Sequence, residues 1–351
     1  MKIFMLIRFL NHTGAPKVFS WLANALSEHG HKITICTFGR SSEISLSDVI
    51  RYVDLSAMPK YRKLFAIRQI LKKEKPDVAI SFLLDANFYN ILSCLGLQTK
   101  SVICERNDPF KPGYKKLKIL KPLFRFADGA VFQIPEVKNF YTNITAPTAV
   151  IPNPITKLMK VSIPSFKERE DTIVTHGRLD IEQKRFDIMI NAFKLLHNDY
   201  PDYRLLIYGK ESIKGDKEKL ERLIEKLNLK DSVFLMGESL QPLNDISKSK
   251  IWIMTSDFEG LPNALIEAMS IGMPCVATNC RPGGAASLIT NDVNGLLVPR
   301  GDIRTIYEGL RYLIENPEKC DELSVEAKKI NETLNAQRIV KLWEDYLRSV
   351  I

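Results

Sequence analysis

The sequence has little of what marks metal-binding, disulfide-bonded or membrane-spanning proteins. Its 351 residues include six cysteines, but none of them forms a CxxC pair, and the five histidines are not at metal-ligand spacing from them. No apolar run of about 18 residues occurs, so we expect no transmembrane helix. A GxGxxG dinucleotide fingerprint is also missing. These absences predict a reduced compartment without a bound metal.

A targeting segment is not expected either. The apolar stretch KIFMLI (residues 2–7) is shorter than the core of a secretory signal and has no small-residue cleavage site after it. The sequence therefore predicts a cytoplasmic protein, which can still rest on a membrane.

Basic residues exceed acidic ones in this chain. There are 50 Lys and Arg against 41 Asp and Glu, which gives a formal net charge of +9. Such an excess suits an anionic partner: nucleotide phosphates, a lipid-linked phosphate, an acidic membrane surface or nucleic acid. Charge alone does not choose among these partners.

The order of the apolar segments predicts an α/β fold with two domains. The chain is too long for one ordinary domain, and its 45% hydrophobic residues suffice for two cores. Buried-type strands alternate with amphipathic helices, which is typical of parallel sheets with right-handed crossovers. We predict two Rossmann-like domains: an N-terminal domain (1–153), a linker (154–171), a C-terminal domain (172–334), and a final helix at about 335–351 that packs back on the first domain.

Two glutamates mark the strongest candidate site, in the segment IMTSDFEGLPNALIEAMSIGMPCVAT (253–278). A strand ends, a loop carries Glu259, and the following helix carries Glu267. Ligands of open parallel sheets bind beyond the carboxyl ends of the strands, where a helix N-terminus favours a diphosphate. Ionised carboxylates accept hydrogen bonds from vicinal hydroxyls. An ordinary solvated loop and helix would also explain the two glutamates. The loop and first helical turn add five candidate residues: Gly260, Pro262, Asn263, Ala264 and Leu265.

Two basic residues follow a strand in the segment GRLDIEQKRFD (177–187). Arg178 and Lys184 are expected at the same sheet edge as the glutamates. A guanidinium and an ammonium beside a departing diphosphate would stabilise the negative charge that grows as its bond breaks. A surface loop before a helix is the alternative explanation.

Weaker candidates lie in the N-terminal half. Gly14 follows the first strand, where a glycine lets the backbone approach a phosphate or an acceptor. Three polar residues, Glu105, Arg106 and Asn107, end a later strand and are candidates for a cleft or acceptor site. Tight structural turns explain both segments equally well.

A basic amphipathic stretch occupies residues 111–125 (KPGYKKLKILKPLFR). Six basic residues alternate with apolar ones, and no acidic residue occurs from 111 to 127. This pattern favours contact with an anionic membrane surface. A solvated helix face is the alternative.

Together these segments resemble the glycosyltransferase family 4 enzymes, and in particular the bacterial branch that builds capsular, exopolysaccharide or lipopolysaccharide sugars. EGLPNALIEAM is similar to the Glu-x7-Glu signature of that family, and GRLDIEQKRFD to its diphosphate-binding motif. The resemblance runs through nearly the whole chain. It implies the GT-B architecture, in which a cleft separates an acceptor-binding N-terminal domain from a nucleotide-sugar-binding C-terminal domain.

The resemblance also implies roles for the candidate residues. Glu259 would contact the hydroxyls of the transferred sugar, Glu267 the ribose, and Arg178 and Lys184 the diphosphate. The family retains the anomeric configuration and uses no metal; no two Asp stand two positions apart here, so the DxD metal motif is absent. The His that many members carry after the fourth strand of the first domain has no counterpart among residues 105–107.

The predicted function is thus a retaining glycosyltransferase without a cofactor. It would move a hexose or N-acetylhexosamine from a nucleotide sugar, by family frequency a UDP-sugar, to a glycan or polyprenyl-linked acceptor. One alternative is a sugar-nucleotide epimerase or hydrolase of the same two-domain plan, in which His12 or His176 would serve acid–base chemistry. Another is a basic nucleic-acid-binding protein, but apart from 111–125 the basic residues are scattered, so we expect no nucleic-acid partner.

Overall fold

The structure is a computed structural model that describes residues 1–11, 14–42, 46–106, 108–110, 115–156, 163–239 and 241–351. The chain forms two compact units. Unit 1 comprises residues 1–156 and 334–351, and unit 2 comprises residues 157–333. Each unit is built around its own parallel β-sheet. No helix in the described ranges is both long and apolar enough to cross a membrane.

Unit 1 contains a sheet whose strands lie in the order β3-β2-β1-β4-β5-β6-β7, and every neighbouring pair is parallel. Its strands are β1 (Lys2–Ile7), β2 (Lys32–Thr37), β3 (Arg51–Asp54), β4 (Val78–Phe82), β5 (Lys100–Glu105), β6 (Gly129–Phe132) and β7 (Thr148–Val150). Its helices are α1 (Gly14–Glu28), α2 (Lys60–Glu74), α3 (Leu84–Cys94), α4 (Lys115–Leu120), a 3-10 turn (Lys121–Phe126), α5 (Pro135–Phe140) and α14 (Ala336–Val350).

Unit 2 repeats this plan with the strand order β10-β9-β8-β11-β12-β13. Its strands are β8 (Glu170–His176), β9 (Arg204–Tyr208), β10 (Val233–Gly237), β11 (Ser249–Met254), β12 (Cys275–Thr278) and β13 (Leu296–Val298). Its helices are α6 (Ile181–Lys184), α7 (Phe186–Asp199), α8 (Asp216–Lys226), α9 (Pro242–Ser247), α10 (Asn263–Ser270), α11 (Ile303–Glu315), α12 (Pro317–Lys328) and α13 (Ile330–Thr333), preceded by a 3-10 turn (Phe166–Glu168).

Both sheets are covered on their two faces, so a central strand such as β1 buries side chains on both sides. In β1 the side chains alternate: Ile3, Met5 and Ile7 pack with α1 and α14, whereas Phe4 and Leu6 pack with α2. A fully buried strand of this kind shows no polar alternation in the sequence. The expected α/β fold with two Rossmann-like domains is confirmed.

The segment expected to be the linker (154–171) has regular structure at both ends. Ile155 forms an isolated bridge with Asn335, and β8 already begins at Glu170. Residues 157–162 lie outside the described part of the chain. The acceptor-binding and donor-binding roles of the two units, and a cleft between them, stay predictions.

Helix α14 packs on unit 1 rather than on the unit that precedes it in the chain. Trp343 and Leu347 are fully buried, and the Tyr346 hydroxyl donates a hydrogen bond to the Pro147 carbonyl at 2.8 Å. On the same helix the Glu344 carboxylate lies 2.7 Å from His31 Nε2. The C-terminal helix is therefore anchored to unit 1 by apolar and polar contacts.

The Glu344 contacts predict an acid-sensitive contribution to stability. Burial alone would raise the pKa of the Glu344 carboxyl, but hydrogen bonds from His31 and His29 leave this pKa below its usual value. Such a group stabilises the fold above its unfolded pKa of about 4.3, and this contribution is lost as the pH falls through the lower folded pKa. We expect Glu344→Gln to lower the free energy of unfolding by about 1–2 kcal/mol near neutral pH.

Urea unfolding of wild type and Glu344→Gln, followed from neutral pH into acid, measures this contribution. The difference between the two proteins should shrink once the pH falls below about 4. Asp345→Asn is the control, because Asp345 is an exposed carboxylate of the same helix, and it should change stability little. A difference that stays constant across the acid range would contradict the assigned role of Glu344.

The described part of the basic stretch 111–125 forms α4 and the following 3-10 turn. Leu117 and Phe124 are buried in unit 1, so two of the apolar residues assigned to a membrane-facing surface belong to the core instead. Ile119 and Phe126 remain exposed. The exposed apolar surface is thus smaller than the sequence pattern suggested, and residues 111–114 lie outside the described part.

Candidate functional site

Strand order brings two loops of unit 2 together. The chain passes from β8 to β9 on one side of β8 and returns to place β11 on its other side. At such a reversal the loops after the two central strands diverge and leave a crevice beyond their carboxyl ends, where ligands bind. The loops that follow β8 and β11 carry the basic and acidic candidate residues, respectively.

The loop after β8 is shaped by a short capped helix. The Asp180 carboxylate accepts a hydrogen bond from the Gln183 backbone N–H at 3.0 Å and so caps the N-terminus of α6. Lys184 is the last residue of this one-turn helix. Arg185 then adopts a left-handed conformation (φ 53°), which ends α6 and allows α7 to begin at Phe186.

The loop after β11 ends at a helix whose first turn has no side-chain cap. Pro262 is the N-cap residue of α10 and makes no capping hydrogen bond, and the helix begins at Asn263. The N-terminus of α10 therefore offers backbone N–H groups and the positive end of a helix dipole. Glu259 lies three residues before this N-cap.

Lys184 and Glu259 form an ion pair between the two loops. The distance between Lys184 Nζ and Glu259 Oε1 is 2.6 Å, and the Ser256 hydroxyl donates to the same carboxylate oxygen at 3.1 Å. Only 16% of the Lys184 side chain and 11% of the Glu259 side chain are exposed. If one partner of the pair is removed, the other is left as a poorly solvated charge. Each of the two side chains can therefore bind an oppositely charged or polar group of a ligand.

Further contacts hold the two loops in register. The Asp257 backbone N–H donates to the Gln183 carbonyl at 2.9 Å, and the Gln183 side-chain amide donates to the Phe258 carbonyl at 3.2 Å. Arg185 forms ion pairs with Asp187 on its own segment and, at 2.9 Å, with Asp257 on the other loop. These hydrogen bonds and ion pairs hold together the two loops that carry Lys184 and Glu259.

A third loop, which follows β12, contacts the backbone at Glu259. The Glu259 backbone N–H donates to the Arg281 carbonyl at 2.7 Å. A Cβ atom on Gly284 would lie 2.2 Å from the Gly260 carbonyl oxygen, so only glycine allows this approach. Burial raises the pKa of the neighbouring Cys280 thiol to about 12, which keeps it protonated and unsuited as a nucleophile at neutral pH.

The second glutamate, Glu267, pairs with His176. His176 is the last residue of β8, and its Nε2 lies 3.0 Å from Glu267 Oε2. The indole N–H of Trp252 in β11 donates to His176 Nδ1 at 3.0 Å. The sequence showed His176 only as an isolated histidine of a possible epimerase. In the structure both ring nitrogens are engaged by protein side chains, so neither faces a substrate as an acid or base.

The other candidates of unit 2 occupy the same edge with different exposure. Arg178 is exposed, and its guanidinium lies 3.3 Å from the Gln183 side-chain oxygen. Leu265 is buried among the residues of α10, so it can contribute only its backbone. Partly exposed positions are Gly260, Asn263 and Ala264, and Pro262 is buried. Arg178 therefore borders the ion pair without joining it.

The candidate residues of unit 1 differ in backbone conformation and in burial. Gly14 begins α1 with a φ of 47°, a left-handed conformation that favours glycine. Glu105 and Arg106 are both buried at the end of β5. Asn107 lies outside the described residues. The roles of these residues toward donor or acceptor stay predictions.

Arg106 is held inside unit 1 by polar and aromatic contacts. Its Nη1 donates to the Asn153 side-chain oxygen at 2.7 Å, and its guanidinium carbon lies 4.3 Å from the centre of the Phe82 ring. Burial lowers the pKa of Arg106 to about 10, so the side chain stays charged at neutral pH. The sequence expected these polar residues at a cleft. In the structure the guanidinium is nearly inaccessible.

Sequence reasoning missed several residues that shape the site, namely Ser256, Asp257, Arg185, Trp252 and the positioning contact of His176. Their only sequence signal was their place in β8 or β11 or in the segments that follow these strands. No group of three or more His, Cys, Asp or Glu suited to hold a metal ion occurs in the ranges that the structure describes.

Comparisons with known proteins address the family. Residues 160–330 match the model of the family described as glycosyl transferases group 1. An uncharacterized glycosyltransferase of Methanocaldococcus jannaschii is 31% identical over 248 residues, which are 63% of this chain and 60% of that protein. A Campylobacter jejuni protein is 27% identical over 358 residues, covering 98% of this chain and 97% of its own; it is named as an alpha-1,4-N-acetyl-D-galactosaminyltransferase of an undecaprenol-linked glycan.

A solved structure shows the same fold. The crystal structure of Anabaena HepE in complex with UDP matches with a TM-score of 0.84 at 18% identity, over 99% of this chain and 100% of that one. Taken together, the match over unit 2, the nearly full-length relative and the shared two-sheet fold identify this chain as a glycosyltransferase with the GT-B fold, whose residues 160–330 match the model of the group 1 glycosyl transferases.

Proposed function

We propose that the protein is a retaining glycosyltransferase that moves a hexose or N-acetylhexosamine from a UDP-sugar to a glycan or lipid-linked acceptor of bacterial surface-polysaccharide synthesis. The Campylobacter relative is named for transfer to an undecaprenol-linked glycan, and the Anabaena structure contains UDP. Other similar proteins include a lipopolysaccharide 1,6-galactosyltransferase of Escherichia coli. These names support the class of donor and of acceptor.

The observation that carries the proposal is the Lys184–Glu259 ion pair beside the uncapped N-terminus of α10. A diphosphate would be stabilised by the Lys184 ammonium, by Arg178 and by the first N–H groups of α10. Glu259 would then accept hydrogen bonds from the hydroxyls of the transferred sugar, and Glu267 from the ribose. In the free protein Lys184 and Glu259 neutralise each other. When the donor binds, Lys184 would pair with the diphosphate and Glu259 with the transferred sugar.

We propose that the reaction proceeds on one face of the sugar without a metal ion. The bond between the anomeric carbon and the diphosphate oxygen breaks, and the acceptor oxygen forms the new bond to that carbon. The acceptor proton passes to the departing phosphate oxygen, so no protein nucleophile is required. Lys184 and Arg178 supply the positive charge that stabilises the leaving diphosphate.

A donor screen tests this proposal. We expect UDP and one UDP-sugar to raise the unfolding temperature of the protein, since a ligand that binds only the folded state stabilises it by mass action. The stabilising donor is then incubated with undecaprenol-linked or soluble glycans in the presence of EDTA, and the anomeric configuration of the product is determined. Transfer that needs a divalent metal, or a product of inverted configuration, would refute the corresponding part of the proposal.

We further propose a peripheral location on the cytoplasmic membrane face through residues 111–125. Lys118 and Arg125 are exposed beside the exposed Ile119 and Phe126. We expect the protein to float with vesicles that contain phosphatidylglycerol and to be released as salt is raised. Equal flotation with purely zwitterionic vesicles, or flotation indifferent to salt, would contradict this surface.

Arg185 offers a prediction about loop bracing. Its left-handed backbone conformation costs a non-glycine residue about 1–2 kcal/mol, and its partly exposed ion pairs return about 0–1 kcal/mol each. We therefore expect Arg185→Gly to change the free energy of unfolding by less than about 1 kcal/mol. Transfer activity should nevertheless fall about 10-fold, because the ion pair between Arg185 and Asp257 that joins the two loops is lost.

Asn228 provides a matched control for this variant. It also adopts a left-handed conformation (φ 55°), but it is exposed and follows α8 rather than lying in either of the two loops. Asn228→Gly should be as stable as wild type or more so, with unchanged kcat/KM. If Arg185→Gly also kept full kcat/KM, the ion pair with Asp257 would have no part in positioning the site.

A further inference from the structure

The two hydrogen bonds of His176 define which ring nitrogen accepts and which donates. The indole Nε1–H of Trp252 can only donate a hydrogen bond, and it lies 3.0 Å from His176 Nδ1. His176 Nδ1 must therefore accept, which means that it carries no proton. A neutral imidazole then carries its proton on Nε2, and this N–H donates to Glu267 Oε2 at 3.0 Å.

The three side chains connect the sheet core to the edge of the site. Trp252 is buried in β11, only 10% of the His176 side chain is exposed at the end of β8, and 27% of the Glu267 side chain is exposed on α10. The rings of His176 and Trp252 also pack edge to face, with centres 5.8 Å apart. The orientation of the Glu267 carboxylate is thus fixed by a rigid donor that is itself fixed by a buried indole.

We propose that His176 is a positioning residue for the donor nucleotide: it orients the Glu267 carboxylate toward the vicinal hydroxyls of the ribose. This inference rests on the proposed function. A carboxylate has about four acceptor positions, and the bond from His176 uses one of them. His176 touches Glu267 rather than the donor, and its effect is expected in donor affinity rather than in the bond-breaking step.

Three substitutions separate the two hydrogen bonds of His176. His176→Phe removes both and keeps an aromatic ring. His176→Gln places an amide N–H about where Nε2 lies and so retains a donor toward Glu267. His176→Asn places an amide oxygen about where Nδ1 lies, which retains the acceptor for Trp252 but is too short to reach Glu267.

Titration with UDP as the probe, by calorimetry, measures the effect on binding. We expect the Kd for UDP to rise about 10-fold in His176→Phe and in His176→Asn, and less than about 3-fold in His176→Gln. The kcat at saturating donor should change less than about 3-fold in all three variants. His176→Asn should unfold at nearly the wild-type temperature because the indole bond persists. His197→Phe, a histidine on α7 that stacks on Phe193 in the same unit, is the control and should bind UDP like wild type.

A double-mutant cycle with Glu267→Gln tests whether His176 acts through Glu267. If it does, adding His176→Phe to Glu267→Gln changes the Kd for UDP by less than about 2-fold. Two results would overturn this inference and leave the proposed function standing. One is a full 10-fold loss of UDP affinity in both backgrounds; the other is wild-type UDP affinity in His176→Phe and His176→Asn. A wild-type protein that binds neither UDP nor GDP would overturn the proposed donor class and this inference with it.

Discussion

Replacing Glu259 by Gln is expected to lower the rate of sugar transfer by at least about 100-fold, the scale of losing one preorganised electrostatic group. The substitution keeps the shape of the side chain, and the Gln oxygen can still accept from the Ser256 hydroxyl. What is lost is the ionised acceptor for the sugar hydroxyls and the anionic partner of Lys184. The fold should persist because Glu259 lies on a loop that its backbone ties to Arg281.

Binding should respond in the opposite direction to catalysis. In the free protein Lys184 is neutralised by Glu259 at 2.6 Å, so a diphosphate must compete with that carboxylate for the ammonium. Glu259→Gln removes the competitor and leaves a poorly solvated cation without its anion. We expect the Kd for UDP to stay the same or fall, while the extra affinity for a UDP-sugar over UDP disappears. Calorimetry with UDP and with the matching UDP-sugar measures both quantities.

Glu221→Gln is the control for Glu259→Gln, since Glu221 is an exposed carboxylate on α8 of the same unit paired with a lysine. It should leave both affinities and the transfer rate unchanged. If Glu259→Gln transferred sugar at near the wild-type rate, Glu259 would have no role in the reaction. If it instead lost UDP binding while staying folded, the carboxylate would act on the nucleotide and not on the sugar.

The fold was largely predictable because both sheets are parallel and buried. Continuous apolar runs in β1 and β11, each followed by an amphipathic helix, mark the repeating unit without any help from tertiary contacts. The strands β3, β7 and β13 carry the weakest sequence signal. Each has three or four residues, and β3 is largely exposed at a sheet edge, so it carries no buried run. Their assignment depends on pairing with a neighbour that is distant in the sequence.

The site was predictable only at the level of its loops. That Lys184 and Glu259 follow adjacent strands could be inferred from the sequence, and the structure brings them into contact. The partner of Glu267 could not, because His176 and Glu267 are 91 positions apart and their contact depends on the packing of α10 against the end of β8. The burial of Glu105 and Arg106 was not expected either. A polar residue at a strand end looks the same in sequence whether it faces solvent or the core.

Replacing Lys184 by Met is expected to reduce kcat/KM by roughly 100-fold, about 3 kcal/mol of transition-state stabilisation. Met keeps the apolar stem but removes the ammonium, so the charge that grows on the leaving diphosphate is no longer offset. Unlike Glu259→Gln, this variant should also weaken UDP binding, since it removes a cation from the diphosphate site. The stability of the free protein should fall as well, because Glu259 is left nearly buried without a counter-charge.

Comparing the change in kcat with the change in the Kd for UDP shows at which step Lys184 acts. A decrease in kcat that exceeds the increase in the Kd for UDP means that the ammonium interacts more strongly with the departing diphosphate than with the bound donor. A loss found entirely in the Kd would limit Lys184 to holding the donor in its ground state. Lys226→Met, at an exposed lysine of α8, controls for the loss of one positive charge from the same unit. In the double variant Lys184→Met with Glu259→Gln, stability should recover relative to Lys184→Met, since no unpaired charge remains buried, while transfer stays lost.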